Sequence, residues 1–170
     1  MSRILACDPG KTGAFALIDT DAWTIAIQDM PQEPGTGGKV AVSPAGVARA
    51  MDAAAPDYAV IEDVTSSPQQ GVTSAFNFGR SLGIVEGACA SRAILTKVRP
   101  QVWKAATKTP KDKTEARRRA MQLFPCAYDL FARVKDDGRA EAALIAFWGL
   151  LALLKTPPPR PLTLVDWPTA

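Results

Sequence analysis

Apolar residues along this chain first come in short unbroken runs and later at helical spacing. Ile4-Leu5-Ala6-Cys7, Ala14-Phe15-Ala16-Leu17-Ile18 and Ile25-Ala26-Ile27 are each framed by polar or turn-forming residues. Runs of this length and framing predict buried strands over Arg3–Asp8, 13–19 and 23–29, with a turn at Asp19-Thr20-Asp21. Three strands in series suggest an antiparallel meander. A loop rich in glycine and proline follows over 31–39, and then Ser43-Pro44 reads as an N-cap with proline at the first helical position, opening a helix to about Ala55. Tyr58–Glu62 is a fourth apolar run and a fourth strand. A polar loop over 65–71 leads into a helix over Val72–Ala90, then a fifth strand over Ile94–Val98, a short helical segment over 100–104 and a basic helix over 111–123. The last long helix starts at Asp136 or Asp137 and runs to about Leu154. Residues 155–170 contain Pro157-Pro158-Pro159-Arg160-Pro161 and are predicted to be extended.

Three strands followed by alternating helices and strands imply an α/β protein with a mixed, five-stranded sheet flanked by helices. With 170 residues, 47% of them hydrophobic, the chain suits one domain with a sizeable core. That domain is expected over 1–155, with 156–170 as a Pro-rich C-terminal tail and no internal repeat. The apolar stretch over 142–154 is too short to span a bilayer, and the chain runs from Met1 directly into a strand rather than into a signal peptide, so no membrane partner is expected. Cys7, Cys89 and Cys126 are scattered and odd in number. They read as free thiols, the first two as core residues, and the expected location is a reducing cytoplasm.

Charge sharpens the picture only when it is localised. The formal net charge is +3, yet residues 97–119 carry nine basic side chains against Asp112 and Glu115. The remainder is therefore net acidic. A basic stripe beside an acidic site suits a phosphodiester enzyme, although a solvated helix face binding nothing has the same signature. The chain has no histidine, which excludes histidine general-base mechanisms and leaves carboxylates and metals. Four carboxylates stand out. Asp8 and Glu62 each end an apolar strand, and Asp137 and Glu141 lie four apart at the start of the last helix, so both can face one site. Carboxylates at the ends of buried strands are costly unless compensated, and a pair of divalent cations would compensate them. Taken singly, each has a plainer reading: Asp8 as a turn cap, Glu62 as the partner of a buried arginine, Asp136 or Asp137 as the N-cap of the last helix.

At these residues the chain resembles the RuvC family of Holliday junction resolvases, particularly its shorter phage-type members. The matching segments are Ala6-Cys7-Asp8-Pro9-Gly10 with Gly13, Val60-Ile61-Glu62-Asp63-Val64, Ser74-Ala75-Phe76 with Gly79 and Gly83, Pro100-Gln101-Val102-Trp103-Lys104, Lys113, and Asp137-Gly138-Arg139-Ala140-Glu141-Ala142. They occur in family order and cover nearly the whole domain. The resemblance implies a ribonuclease H-like fold, in which the first and fourth strands are neighbours and Asp8 meets Glu62. It implies a homodimeric endonuclease that uses Mg²⁺ (or Mn²⁺), two ions per active site, to nick a four-way DNA junction, with no nucleotide cofactor. Asp8 and Glu62 match the first two acidic ligands. Aligning the Ala-Leu run puts Glu141 on the last acid and Gly138 on the one before it, so Asp137 is displaced by one residue and Asp136, the substitute ligand, by two. Lys113 matches a family lysine placed near substrate phosphate. Bacterial members carry an aromatic shortly after the second acid, whereas Val64-Thr65-Ser66-Ser67 has none.

The expected catalytic set is thus Asp8, Glu62, Asp137, Glu141 and Lys113, the four acids holding metal. Lys11, Lys104, Lys111, Lys113, Arg117 and Arg118 are expected to hold DNA phosphates, with Arg80 added from the helix after Glu62; Arg119 reads as an exposed charge. Trp103 and Phe147-Trp148 read as core. Ala75, Gly79, Gly83 and Gly87 make a smooth stripe on the helix over Val72–Ala90, which by resemblance is the dimer face and otherwise packs on the protein's own sheet. The leading expectation is a junction-resolving DNA endonuclease. A flap or RNA–DNA hybrid nuclease of the same fold, or a non-catalytic junction-binding protein, remain as alternatives.

Overall fold

A computed structural model describes residues 2–65, 69–155, 158 and 160–169. Its centre is a mixed sheet built around strand β1 (Arg3–Asp8), with β2 (Ala14–Asp19) and β3 (Thr24–Asp29) following as an antiparallel meander. A small hairpin, β4 (Gln32–Pro34) with β5 (Val40–Val42), begins in the loop expected over 31–39 and ends beyond it. Strand β6 (Tyr58–Glu62) pairs parallel to β1 on its other side, and β7 (Ile94–Val98) pairs parallel to β6.

Among the described residues the sheet has six strands, not the five expected. The sixth, β8 (Thr163–Leu164), comes from the C-terminal segment and lies parallel to β3, giving the order β7-β6-β1-β2-β3-β8. Two further contacts hold this segment. The Trp23 indole donates to the Arg160 carbonyl at 2.8 Å, and Trp167 packs against Phe15 with ring centroids 6.2 Å apart. An edge strand with unpaired N–H and C=O groups gains from such a cover. In the proline run expected to be extended, Pro157 and Pro159 lie outside the described residues.

Among the described residues, five α-helices cover the two faces: α1 (Pro44–Ala54), α2 (Val72–Ala90), α3 (Pro100–Thr107), α4 (Lys113–Leu123) and α5 (Asp137–Ala152). Successive residues of β1 enter opposite cores, which is why its apolar run is unbroken. Ile4 and Ala6 join Ala16, Ile25 and Val60 beneath Leu144 of α5, together with Trp103 and Phe124. Leu5 and Cys7 join Phe15, Leu17 and Ile61 beneath Val47 and Met51 of α1 and Val85 and Cys89 of α2. Among the described residues, no helix is long and apolar enough to cross a membrane.

Local chemistry sets the helix starts. The Ser43 hydroxyl accepts the Gly46 N–H at 3.1 Å with Pro44 in the first turn, and the Asp112 carboxylate accepts the Glu115 N–H at 3.0 Å. Asp136 precedes α5 but does not cap it: its carboxylate accepts the Arg133 N–H at 2.9 Å, closing the preceding single turn instead. The small-residue stripe of α2 faces away from the sheet. Ser81, Val85 and Cys89 are its buried positions, while a Cβ at Gly79, Gly83 or Gly87 would meet nothing within 4 Å.

Candidate active site

The parallel register Cys7↔Ile61 places the next residues, Asp8 and Glu62, side by side at the C-terminal edge of β1 and β6. By strand alternation they share the face of Ala6 and Val60, the one covered by α5. Beyond Asp8 the backbone doubles back, with the Gly13 N–H donating to the Gly10 carbonyl at 3.1 Å. A Cβ at Gly13 would overlap the Asp8 carbonyl oxygen outright, so this return needs glycine. Helix α5 starts directly against the loop. A Cβ at Gly138 would lie 2.8 Å from the Gly13 Cα and 3.1 Å from Asp8 Oδ2 and would overlap the Thr12 carbonyl oxygen. The bare position 138 therefore lets the first turn of α5 approach, and Glu141 follows one turn on from Asp137.

The acids repel one another. Burial pushes the Asp8 carboxyl well above the usual carboxylate range, and the Glu141 and Glu62 charges push it further, against the opposing pull of Lys113 and Lys104. Glu62 is only 8% exposed. Burial raises it too, the Trp103 hydrogen bond opposes that rise, and Glu141 adds to it. Helix α3 supplies the compensation. The Trp103 indole donates to Glu62 Oε1 at 2.8 Å, and the Lys104 ammonium lies 3.5 Å from Glu141 Oε1 and 5.0 Å over the Trp103 ring. Sequence reasoning read Trp103 as core, which it is, and missed the carboxylate at its N–H. The only signal was that the residue stands beside Lys104 in the Pro100–Lys104 motif.

The acids at the start of α5 part company. Asp137 turns toward α4, pairing with Arg117 through Oδ1 and lying 3.6 Å from Lys113 Nζ through Oδ2. Asp136 is sealed away from the Asp8 cluster, contrary to its expected use as a substitute ligand. It is 2% exposed, takes Arg133 Nη2 at 2.9 Å and lies 3.7 Å from Arg139 Nη1. Burial pushes Asp136 up, but Arg133 and Arg139 outweigh that and hold it below the usual range. Arg139 also grips Asp29 through two 2.6 Å bonds, tying α5 to β3, which no sequence signal announced.

The basic residues also divide. Lys11, Lys111, Arg80 and Arg118 are exposed, and Arg118 pairs with Glu115. The Lys113 side chain is 68% exposed beside the site. Arg117 is a correction: its side chain is 8% exposed and held by Asp137, so it organises α4 against α5 rather than offering itself to phosphate. Lys104 is half-buried within the acidic cluster. Arg119, expected to be exposed, is half-buried and donates to the Thr107 carbonyl at 2.9 Å.

Among the described residues, no three acids or thiols form a ready-made metal cage. The donor set nevertheless fits a hard divalent cation. Asp8, Glu62 and Glu141 offer carboxylate oxygens, and their mutual repulsion in a buried place is relieved by positive charge.

No family model matches the chain, and no curated protein matches it in sequence. Solved structures do match in fold. A Thermus thermophilus RuvC in complex with a Holliday junction substrate superposes with a TM-score of 0.61 at 17% identity, covering 92% of this chain and 98% of the other. A second structure of Thermus thermophilus RuvC superposes with a TM-score of 0.58 at 16% identity, covering 91% and 97%. The fold of the chain is thus the ribonuclease H-like fold of RuvC.

Proposed function

We propose that this protein is a structure-selective, divalent-metal-dependent DNA endonuclease that resolves Holliday junctions or closely related branched DNA. The observation that carries the reading is the trio Asp8, Glu62 and Glu141, in which the Glu141 charge raises the proton affinity of buried Asp8 and Glu62, with Lys104 and Lys113 beside it, on a fold shared with a protein solved on a Holliday junction. Asp8, Glu62 and Glu141 would hold Mg²⁺ or Mn²⁺. Such ions, if bound in a pair, would supply a more acidic attacking water and charge stabilisation for the leaving 3′-oxygen. Asp137 acts through Lys113, keeping its ammonium at the site's rim for a phosphate. Lys104 shields Glu141 from the other acids until DNA and metal enter. Two symmetric nicks require two sites, and a second copy docked on the open stripe of α2 would supply the other. Val72 and Phe76 at the start of that helix are 87% and 70% exposed, an apolar surface continuous with the stripe.

The test is incubation with a labelled immobile four-way junction, a matched linear duplex and an RNA–DNA hybrid, in Mg²⁺, Mn²⁺ or EDTA. Paired nicks in the junction alone, dependent on metal, are expected. Cleavage of the hybrid instead moves the substrate assignment, and tight junction binding without cleavage in any metal overturns the nuclease reading. Lys113→Ala is expected to weaken binding of junction and duplex by similar factors and to lower the salt slope by about 1, as loss of one phosphate contact does. An unchanged slope in a titration from low to moderate salt would remove Lys113 from the DNA surface.

A further inference from the structure

We infer that Trp103 is a positioning residue for Glu62, orienting that carboxylate toward a divalent cation; the inference rests on the metal-site reading above. A buried indole N–H needs an acceptor, and a backbone carbonyl would serve. Here the acceptor is the carboxylate of Glu62, itself buried at the end of β6, at 2.8 Å. The donor is packed on all sides. Trp103 is fully buried beneath α5, and its own carbonyl is tied by the Thr107 hydroxyl at 2.8 Å within α3. An indole has one N–H, so it occupies Oε1 and does not itself claim Oε2. It is also neutral. An arginine in its place would orient Glu62 equally well but would cancel the charge a cation is attracted to, whereas the indole orients and leaves the charge. The neighbouring Lys104 reaches Glu141, so one turn of α3 addresses two of the three acids. Hydrogen-bond partners of metal-binding side chains typically contribute ten- to a hundredfold to metal affinity.

Trp103→Phe keeps the ring in the core and deletes only the N–H. Mn²⁺ binding to the DNA-free protein, measured by calorimetry, is expected to weaken about tenfold in Trp103→Phe and to stay unchanged in Trp148→Phe, a core-packed indole on α5. In the cleavage assay, the half-saturating Mn²⁺ concentration should rise by the same factor while kcat at saturating metal holds. Wild-type affinity in Trp103→Phe, or a loss of kcat with unchanged affinity, overturns the positioning role and leaves the metal-site reading standing. Absence of Mn²⁺ binding in the unaltered protein overturns both. If the variant does not fold, ¹⁵N-indole spectra of the unaltered protein decide the matter. The Trp103 N–H signal should move and saturate on Mg²⁺ titration and stay still in Glu62→Gln; a signal indifferent to metal in both overturns the inference.

Discussion

Asp8→Asn is expected to abolish metal-dependent junction cleavage, by about 10³-fold or more, while junction binding in EDTA is retained. The central strand places Asp8 between Glu62 and the start of α5, so it is the acid best placed to serve more than one cation. Asparagine keeps the shape and removes the charge. The same substitution has a second, opposite signature on stability. The Asp8 carboxyl lies above its usual range because of burial and of the Glu141 and Glu62 charges. The native state therefore holds its proton to higher pH than the unfolded chain does. Where that is so, the native state binds more protons than the unfolded one, and stability falls as pH rises. The cost is absent below the usual carboxylate pKa of about 4, where both states are protonated, and grows as pH rises through the elevated native value. Without metal at neutral pH, Asp8→Asn should thus be more stable than the unaltered protein by ~1 kcal/mol, the trade expected of a strained functional site. Near pH 3 the gain should vanish. Mg²⁺ should raise the melting temperature of the unaltered protein and not of the variant. Thermal melts across pH, with and without Mg²⁺, read this directly. Full cleavage by the variant, or a stability gain over the unaltered protein no larger at neutral pH than at pH 3, would contradict this account of Asp8.

Gly138→Ala should be nearly as damaging, although it adds one methyl group and changes no charge. That methyl would overlap the Thr12 carbonyl oxygen and sit 2.8 Å from the Gly13 Cα, both backbone atoms of the loop that follows Asp8. Backbone cannot step aside as a flexible side chain can, so α5 must move out or the loop must move away. Overpacking of this kind costs about 1–3 kcal/mol. The functional loss should exceed the stability loss. A displacement near 1 Å between groups that must act together costs on the order of 100-fold in rate, and this shift separates Glu141 on α5 from Asp8 on β1. A melting curve and a junction cleavage assay on Gly138→Ala check both. Normal cleavage in a destabilised variant would show that the spacing of α5 from the loop is not what aligns the acids. The same crowding bears on the acid count. Position 138 is where the resemblance expected a carboxylate, and this packing leaves no room for one beside Asp8.

The strands and helices were legible because their signals are local. Unbroken apolar runs marked β1, β2, β3 and β6, Ser43-Pro44 marked the start of α1, and Asp8 and Glu62 stood out as acids closing apolar runs. Each depends on covalent spacing within a few residues, which the sequence carries in full. The small-residue spacing of α2 was equally visible, but whether the stripe faced the sheet or solvent was not.

Partner choice belongs to tertiary structure. Asp136, Asp137 and Glu141 are nearly interchangeable when read along the chain. Only the approach of α4, of the turn before α5 and of α3 assigns Asp137 to Arg117 and Lys113, Asp136 to Arg133 and Arg139, and Glu141 to Lys104. The Trp103 contact with Glu62 joins residues 41 positions apart, and β8 returns to β3 from the far end of the chain. Hydrogen bonds and ion pairs of this range depend on where whole elements come to rest, and packing of both sheet faces decides that. The sequence alone thus determined which residues could do chemistry, and the packing of α3, α4 and α5 against the sheet decided which of them meet.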